Sequence, residues 1–284
     1  MKKILILGAT GLIGHQVYFR LKERKDYKVF HFSHQRRITT DTVLLDVRNE
    51  HLLEKEILKV KPDVIVNCMG VLIDEANNNL EHAIFLNTYI PHRLKSIANV
   101  LKAKLIHIST DCVFSGKKGS YKEEDVKDAE DNYGRTKALG EVTESSHVTL
   151  RTSVFGPEIK DGVQLFHWFM KQQGSIKGFT KSLWSGVSTL ELAKAVEWAI
   201  ESDVQGLYHI TNGQLINKFD LLMLFKKYTK RDIEIEAVDG RVTNKSFIDT
   251  RKKMNYNIPD YDEMIRDMVV FMKNNPKLYA QYSI

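Results

Sequence analysis

The chain has 284 residues, of which 43% are hydrophobic and 27% are charged. These proportions exclude a disordered or fibrous protein and leave enough apolar residues for a sizeable core. Lys and Arg outnumber Asp and Glu by 42 to 36, which gives a formal net charge of +6. The basic excess is scattered and forms no block with interleaved aromatic residues, so we expect no nucleic-acid partner.

Membrane and metal partners are not expected either. No apolar stretch approaches the roughly 20 residues that a membrane-spanning helix needs, and the short run after Met1 passes into glycines without a signal-peptide cleavage site. Cys68 and Cys112 are the only cysteines, too few for a disulfide scaffold and wrongly spaced for zinc. We therefore expect a cytoplasmic protein with reduced thiols and no bound metal.

Strand-like apolar runs alternate with helical patterns through the first half of the chain, as in a parallel sheet with crossover helices. Several of the runs are almost entirely apolar, which is typical of strands covered on both faces. The sequence therefore predicts an α/β fold built on a Rossmann-type doubly wound parallel sheet. The predicted strands are residues 3–9, 27–33, 42–47, 63–69, 104–110 and 147–155, and the helices between them are residues 12–25, 49–61, 79–102 and 133–145.

After about residue 155 the alternation loosens. We expect a dinucleotide-binding domain over residues 1–156, to which residues 188–212 return, and a smaller C-terminal substrate-binding lobe from residues 157–187 and 213–284. Ser188 and Glu191 form a capping-box pattern at the start of one helix. The predicted elements in this half are helices over residues 163–173, 188–202, 218–228 and 262–274, a seventh strand over 206–212 and an edge strand over 233–238.

A glycine-rich loop follows the first strand and opens the first helix, with a G-x-x-G-x-x-G spacing. Glycine lets backbone N–H groups approach a pyrophosphate, and the start of the helix adds partial positive charge. A tight turn alone would also explain the glycines, but their place at the start of an alternating chain favours dinucleotide binding. The predicted contacts of this loop are Gly8, Thr10, Gly11, Leu12, Ile13 and Gly14.

The end of the second strand bears on the choice of dinucleotide. NAD-binding folds usually carry an acidic residue there for the ribose 2′-hydroxyl, but this chain has Ser33 and His34, with Arg36 and Arg37 just beyond. A carboxylate would repel a 2′-phosphate, whereas a guanidinium binds one. The sequence therefore favours NADPH, with NADH as the alternative cofactor. The two arginines would otherwise be solvated side chains of a loop with no role in binding.

Other strand ends reach the same rim of the sheet. Asp46 and Val47 end the third strand, where a carboxylate would meet the adenine amine or would be a plain strand-end aspartate. The fourth strand ends at Cys68, Met69 and Gly70, which we expect beside the cofactor because ligands of open parallel sheets bind at these carboxyl ends.

Thr110 ends the fifth strand, and Tyr133 and Lys137 follow on the next helix. Residues four apart share a helix face, so an ammonium at residue 137 would lower the pKa of the phenol and make it a better acid. Such a phenol protonates an alkoxide while the threonine hydroxyl polarises the carbonyl oxygen. Tyr18 and Lys22 have the same spacing, but they lie beyond the first turn after the glycine loop, so we expect them outward or in the core.

The glycine loop, Thr110 and the Tyr133–Lys137 pair, in that order, resemble the extended branch of the short-chain dehydrogenase/reductase family. More narrowly, residues 108–125, 132–141 and 150–156 resemble the dTDP-4-dehydrorhamnose reductases. The resemblance implies that Thr110, Tyr133 and Lys137 are catalytic, with Lys137 also bonding the nicotinamide ribose. It further implies an NADP-dependent oxidoreductase that reduces a nucleotide-linked 4-keto-6-deoxy sugar for surface polysaccharide synthesis.

The residues after Thr110 depart from the family pattern. Cys112 stands where the family often has Tyr, and where the related dehydratases carry the Glu of an Asp-Glu pair, so dehydration is disfavoured. Asp111, Cys112 and Val113 are candidate substrate contacts. Trp184 in the second lobe is another candidate, with an ordinary packing role as the alternative.

Two other functions fit the same fold. An epimerase would usually retain NAD, and Arg36 and Arg37 count against it. A non-catalytic NADP-binding regulatory subunit is the other, because relatives of the reductases include a regulatory partner of methionine adenosyltransferase. The sequence leaves open the sugar, the nucleotide base and a homodimeric state.

Overall fold

The computed structural model describes every residue except Ser145, Lys252, Met254 and Tyr256. Its strands are β1 (Lys2–Leu7), β2 (Tyr27–Ser33), β3 (Val43–Leu44), β4 (Val64–Asn67), β5 (Lys104–Thr110), β6 (Val148–Thr152), β7 (Val154–Phe155), β8 (Ser175–Phe179), β9 (Ser182–Trp184), β10 (Val187–Ser188), β11 (Gly206–His209), β12 (Ile216–Asn217), β13 (Glu234–Val238) and β14 (Thr243–Lys245). Its α-helices are α1 (Gly14–Lys22), α2 (Glu50–Val60), α3 (Ile73–Asn78), α4 (Leu80–Ala83), α5 (Ile90–Leu101), α6 (Asn132–Leu139), α7 (Leu165–Lys171), α8 (Thr189–Glu201), α9 (Lys218–Thr229) and α10 (Tyr261–Asn274).

Seven strands form one parallel sheet in the order β11-β6-β5-β4-β1-β2-β3. Each overlaps a run that the sequence predicts as a strand. The chain winds outward from β1 in both directions, through β2 and β3 on one side and through β4, β5, β6 and β11 on the other. This is the doubly wound arrangement, and the predicted fold class is confirmed.

The core lies on both faces of this sheet because side chains of a strand alternate between faces. Ile4 and Ile6 of β1 belong to a cluster that continues into α1, α8, α9 and α10. Leu5 and Leu7 of the same strand belong to a second cluster, which includes residues of α2 and α5. The apolar composition of β1 therefore reflects burial on two sides.

The region of the predicted helix over 79–102 differs in detail from the expectation. α4 and α5 flank a π-helical segment, Ile84–Tyr89, and the short helix α3 precedes them without having been predicted. α6 ends at Leu139 instead of residue 145, and Ser145 lies outside the described residues. A Cβ atom at Gly140 would lie 1.8 Å from the Asn87 carbonyl oxygen, so the end of α6 abuts the π-helical segment.

Small sheets form the C-terminal lobe. β13, which overlaps the predicted edge strand over residues 233–238, pairs in parallel with β8. β9 pairs with β12 and β14. Ser188 caps α8 by accepting from the amide of Glu191 at 3.1 Å. The Glu191 carboxylate pairs with Lys194, so only one half of the predicted capping box is present.

Within residues 188–212, α8 packs on α1 and β11 pairs with β6 of the large sheet. The C-terminal end also contacts the first lobe: the Tyr279 hydroxyl lies 2.9 Å from Nε2 of His15 and accepts from Gln16 at 2.6 Å. The predicted lobe boundaries stay a prediction. Residues 213–284 contribute contacts to both lobes. Lys252, Met254 and Tyr256 of that predicted lobe lie outside the described residues.

Candidate active site

The glycine loop closes tightly on itself between β1 and α1. Gly8 has a φ of +80°, a conformation that favours glycine, and its carbonyl accepts from the amide of Gly11 at 2.9 Å. A Cβ atom at Gly14 would lie 2.2 Å from that same oxygen. The three glycines are therefore required by close backbone contacts, as their spacing predicts.

Unpaired amides make this loop fit the pyrophosphate of a dinucleotide. α1 begins at Gly14 with no side-chain cap. In the part of the chain that the structure describes, the amides of Thr10, Leu12 and Ile13 donate to no protein acceptor. Open N–H groups at a helix start attract an anion, and the residues present fit the cofactor.

The end of β4 lies across the glycine loop. A Cβ atom at Gly8 would lie 3.1 Å from both the Cys68 carbonyl carbon and Cγ of Met69. Buried Asn67 fixes this turn by accepting from the amide of Met69 at 3.1 Å. The structure thus brings the predicted residues Cys68 and Met69 to the loop, and Asn67 is a supporting residue that the sequence did not single out. Burial raises the pKa of the Cys68 thiol to about 12, so the thiol is neutral.

The end of β2 has features that fit a phosphorylated ribose. Ser33 is buried and its hydroxyl has no partner within the described residues. Arg36 is exposed and makes no hydrogen bond or ion pair in the described chain. Arg37, in contrast, donates to the carbonyls of Thr40 and Thr42. Of the two predicted arginines, Arg36 is the one whose guanidinium is free for a phosphate.

We expect Arg36→Ala to weaken NADPH binding about tenfold or more while leaving NADH binding nearly unchanged, because only NADPH offers the 2′-phosphate. Arg37→Ala is the matched control and should change the ratio less, since its guanidinium holds the loop. Titration calorimetry with each cofactor measures the ratio. Equal losses for NADPH and NADH in Arg36→Ala would contradict this assignment.

Asp46 is oriented by its own neighbour. Arg48 donates to its carboxylate at 2.9 and 2.5 Å, and these hydrogen bonds lower the pKa of Asp46 to about 2. Val47 is half-buried and packs against the second core cluster. The carboxylate is ionised and held at the strand end, and its predicted contact with adenine stays a prediction.

α6 is anchored on the loop after β5. Asp131 caps the helix by accepting from the amide of Gly134 at 2.7 Å. A Cβ atom at Gly134 would lie 2.1 Å from the Cys112 carbonyl oxygen. The Thr110 hydroxyl accepts from the Cys112 amide and donates to Asp111, both at 3.1 Å. The glycine after the tyrosine thus lets α6 approach the end of β5.

Tyr133 is half-buried at the start of α6. Burial raises the pKa of its phenol above the ordinary value, Cys112 adds to the rise, and the Thr110 hydroxyl acts in the opposite direction. The lowered pKa expected from Lys137 is therefore wrong for this structure, because burial of the phenol prevails. The raised pKa keeps the phenol protonated at neutral pH, which is the form an acid catalyst needs.

Lys137 is buried between α6 and the sheet. Its ammonium donates to the Ile108 carbonyl of β5 at 2.8 Å. Burial lowers the pKa of Lys137 to about 8, and Glu141 opposes that change. A Cβ atom at Gly70 would lie 3.9 Å from the ammonium. Lys137 therefore lies where α6 meets the rim that carries the cofactor loop.

The competing pair lies elsewhere. Tyr18 packs in the core, with its ring centroid 4.6 Å from that of His31. The Lys22 ammonium lies 5.4 Å from the Tyr18 ring centroid and 4.1 Å from that of Phe19. These contacts are structural, as expected from the position of the pair on α1.

The predicted substrate residues differ in exposure. Cys112 is half-buried, whereas Asp111 is 6% exposed and its carboxylate accepts from Thr110. The Val113 side chain is fully buried in a small core cluster, and its predicted contact with the substrate stays a prediction. Trp184 is 4% exposed and packs edge-on against Phe155. Its packing role is observed, and a contact with the sugar stays a prediction.

Two groups support α6 without having been predicted. Asn87 in the π-helical segment donates to the Thr136 hydroxyl at 3.2 Å and accepts from the Val71 amide at 3.0 Å. Glu141 binds buried Arg151 through two hydrogen bonds of 2.7 and 2.6 Å. Asn87 gave no sequence signal, whereas an arginine inside an apolar strand signals a buried partner.

A cavity of about 760 Å³ lies beside this ion pair, separate from the glycine loop, and Glu123 and Arg251 help to line it. Among the described residues, no cluster of His, Cys, Asp and Glu has the arrangement of a metal site. No helix within the described ranges is long and apolar enough to cross a bilayer.

The parallel sheet, the glycine loop and the Thr-Tyr-Lys set define an extended short-chain dehydrogenase/reductase. The chain belongs to the family described as the RmlD substrate binding domain, whose model matches residues 1–247. The predicted family is thereby confirmed.

Known proteins resemble the chain at modest identity. It is 28% identical to the dTDP-4-dehydrorhamnose reductase of Aggregatibacter actinomycetemcomitans over 78% of this chain and 76% of that protein. It is also 28% identical to methionine adenosyltransferase 2 subunit beta of Bos taurus, over 78% of this chain and 70% of the relative. The fold matches that of dTDP-4-dehydrorhamnose reductase from Bacillus anthracis, solved with NADP, with a TM-score of 0.83 and 21% identity over 95% of this chain and all of that one.

Proposed function

We propose that the protein is an NADPH-dependent reductase of a nucleotide-linked 4-keto-6-deoxy sugar, working in the synthesis of surface polysaccharide precursors. Its family and relatives support the coarser class, an NAD(P)-dependent oxidoreductase of sugar nucleotides. The observation that supports carbonyl reduction is that Thr110 ends β5 while Tyr133 and Lys137 lie on α6 beside it. The choice of sugar rests on the resemblance to the reductases. Free Arg36 and the absence of an acid at Ser33 favour NADPH.

In this proposal the chain supplies the proton and the orientation. NADPH, held at the glycine loop, would supply the hydride. The Thr110 hydroxyl turns from Asp111 and donates a hydrogen bond to the substrate carbonyl oxygen, which polarises it. Tyr133 then donates its proton to the alkoxide oxygen that forms, so that C=O becomes CH–OH, and the phenolate regains a proton from water. Lys137 is held by the Ile108 carbonyl, and its positive charge stabilises the phenolate that forms when Tyr133 gives up its proton.

Loss of NADPH absorbance, measured with a panel of dTDP- and UDP-linked 4-keto sugars, tests the proposal. We expect turnover with at least one of them and stoichiometric formation of the corresponding alcohol. Firm NADPH binding without turnover on any member would favour a regulatory subunit, as the similarity to the methionine adenosyltransferase subunit allows.

We expect kcat/KM for the reduction to fall as pH rises through about 8, because Lys137 loses its charge there. Tyr133 stays protonated in that range since its pKa is raised. The pH dependence of NADPH oxidation measures the effect. Burial also lowers the pKa of Lys104 to about 8, but Lys104 begins β5 at the opposite end, so Lys104→Met should keep the alkaline fall. The assignment would be contradicted if the alkaline fall disappeared in Lys104→Met. It would also be contradicted if kcat/KM of the unsubstituted protein did not change with pH in this range.

A further inference from the structure

Two lysines of the C-terminal lobe meet beside the catalytic residues. Lys245 of β14 is the register partner of Trp184 on β9, and β12 pairs with the other edge of β9. Lys218 begins α9 directly after β12, and its ammonium lies 4.6 Å from the Trp184 ring centroid. Segments that are distant in sequence therefore bring the Lys218 ammonium to the ring of Trp184 and the backbone of Lys245 beside that of Trp184.

Both side chains face the loop that follows β5. A Cβ atom at Gly116 of that loop would lie 3.0 Å from Cγ of Lys245. Burial acts to lower the pKa of Lys245, but Cys112 and Asp111 outweigh it and raise that pKa. Burial lowers the pKa of Lys218, and the same two residues oppose the change. Since Cys112 is bonded through its amide to the Thr110 hydroxyl, the two ammonium groups adjoin the catalytic end of the sheet.

Neither lysine has an ion-pair partner within the described residues. Other lysines of the same lobe do, since Lys181 pairs with Asp239 and Lys227 with Asp262. Asp111 is the nearby acid, but its carboxylate is bonded to Thr110 and lies beyond ion-pair distance of both lysines. The Trp184 indole N–H is also buried without an acceptor in the described chain. Partly buried cations without counter-ions are costly unless an anion binds them.

We propose that Lys218 and Lys245 bind the diphosphate of the nucleotide-linked substrate, an inference that rests on the proposed function. A diphosphate carries charge on two adjacent phosphoryl groups, which matches two separate ammonium groups. The substrate carbonyl is at Thr110 and Tyr133, and the diphosphate is attached across the same sugar ring. The ring therefore lies over Asp111 and Cys112, between the reacting carbonyl and the two lysines.

Binding of UDP and dTDP tests this without requiring turnover. Calorimetric titration of each nucleoside diphosphate into the full-length protein saturated with NADP⁺ should give a defined affinity. Lys218→Gln and Lys245→Gln should each weaken it about tenfold or more. Lys218→Arg should restore most of it, and Lys181→Gln is the matched control on the same lobe, with no change expected. NADP⁺ affinity should be the same in all variants, which shows that they are folded.

The outcomes separate this inference from the proposed reaction. Lysine-dependent binding of UDP or dTDP without reduction of any 4-keto sugar supports the diphosphate site and overturns the reaction. Reduction of a sugar nucleotide with an unchanged KM in both lysine variants overturns the site and leaves the reaction standing. Failure of wild-type protein to bind either nucleoside diphosphate also overturns the site, and so does binding that both variants retain.

Discussion

Tyr133→Phe should lower kcat for the reduction by about 100-fold to 10,000-fold, the usual contribution of a positioned general acid. In the proposed reaction the phenol donates a proton to the forming alkoxide, and its raised pKa keeps that proton in place at neutral pH. The ring remains in the variant and still packs beside Val71 and Ala83, so the fold should survive. Single-turnover loss of NADPH absorbance measures the chemical step.

Tyr18→Phe is the control for this substitution, because Tyr18 and Lys22 have the same spacing but lie in the core of the first lobe. We expect its kcat to equal that of the unsubstituted protein. NADPH affinity should be unchanged in both variants, since neither hydroxyl contacts the glycine loop. A Tyr133→Phe variant with normal kcat would remove the phenol from the mechanism.

The sheet was predictable because burial on both faces leaves a local signal. Residues 4–7 of β1 are all apolar and alternate between the two core clusters. The glycines that follow leave no room for a side chain, since a Cβ atom at Gly14 would lie 2.2 Å from the Gly8 carbonyl oxygen. Such features are encoded within a few consecutive residues. The glycine loop was predictable for the same reason, and so was the shared helix face of Tyr133 and Lys137, which are four residues apart.

Contacts between distant segments were not predictable in this way. α6 ends early because Gly140 meets the backbone at Asn87, and no periodicity within α6 reports that contact. The strands that bring Trp184, Lys218 and Lys245 together, β9, β12 and β14, are two or three residues long and rely on pairing across the lobe. The pKa of Tyr133 was predicted in the wrong direction because spacing conveys the neighbouring charge but not the degree of burial.

Glu141→Leu should destabilise the folded protein by about 3–5 kcal/mol, the usual cost of leaving a buried charge without its partner. Arg151 is 1% exposed and would lose both hydrogen bonds to the carboxylate. Burial by itself would raise the pKa of Glu141, but Arg151 and Lys127 hold it below the ordinary value. The carboxylate is thus ionised at neutral pH, and its contribution to stability is lost as the pH falls through that lowered pKa. Urea unfolding at neutral pH measures the loss.

The double variant Glu141→Leu with Arg151→Met distinguishes an unpaired charge from lost packing. Removing both charges should recover much of the stability that the single variant loses, because no buried ion then lacks a partner. Lys95→Met is the control, since it breaks an ion pair with exposed Glu144 and should leave the urea midpoint nearly unchanged. Glu141 also tethers the end of α6 to Ser109 of β5 at 2.7 Å, beside Thr110. If the double variant regains stability but not kcat, the ion pair positions α6 for the reaction. If the single and double variants are equally unstable, packing at residue 141 dominates instead.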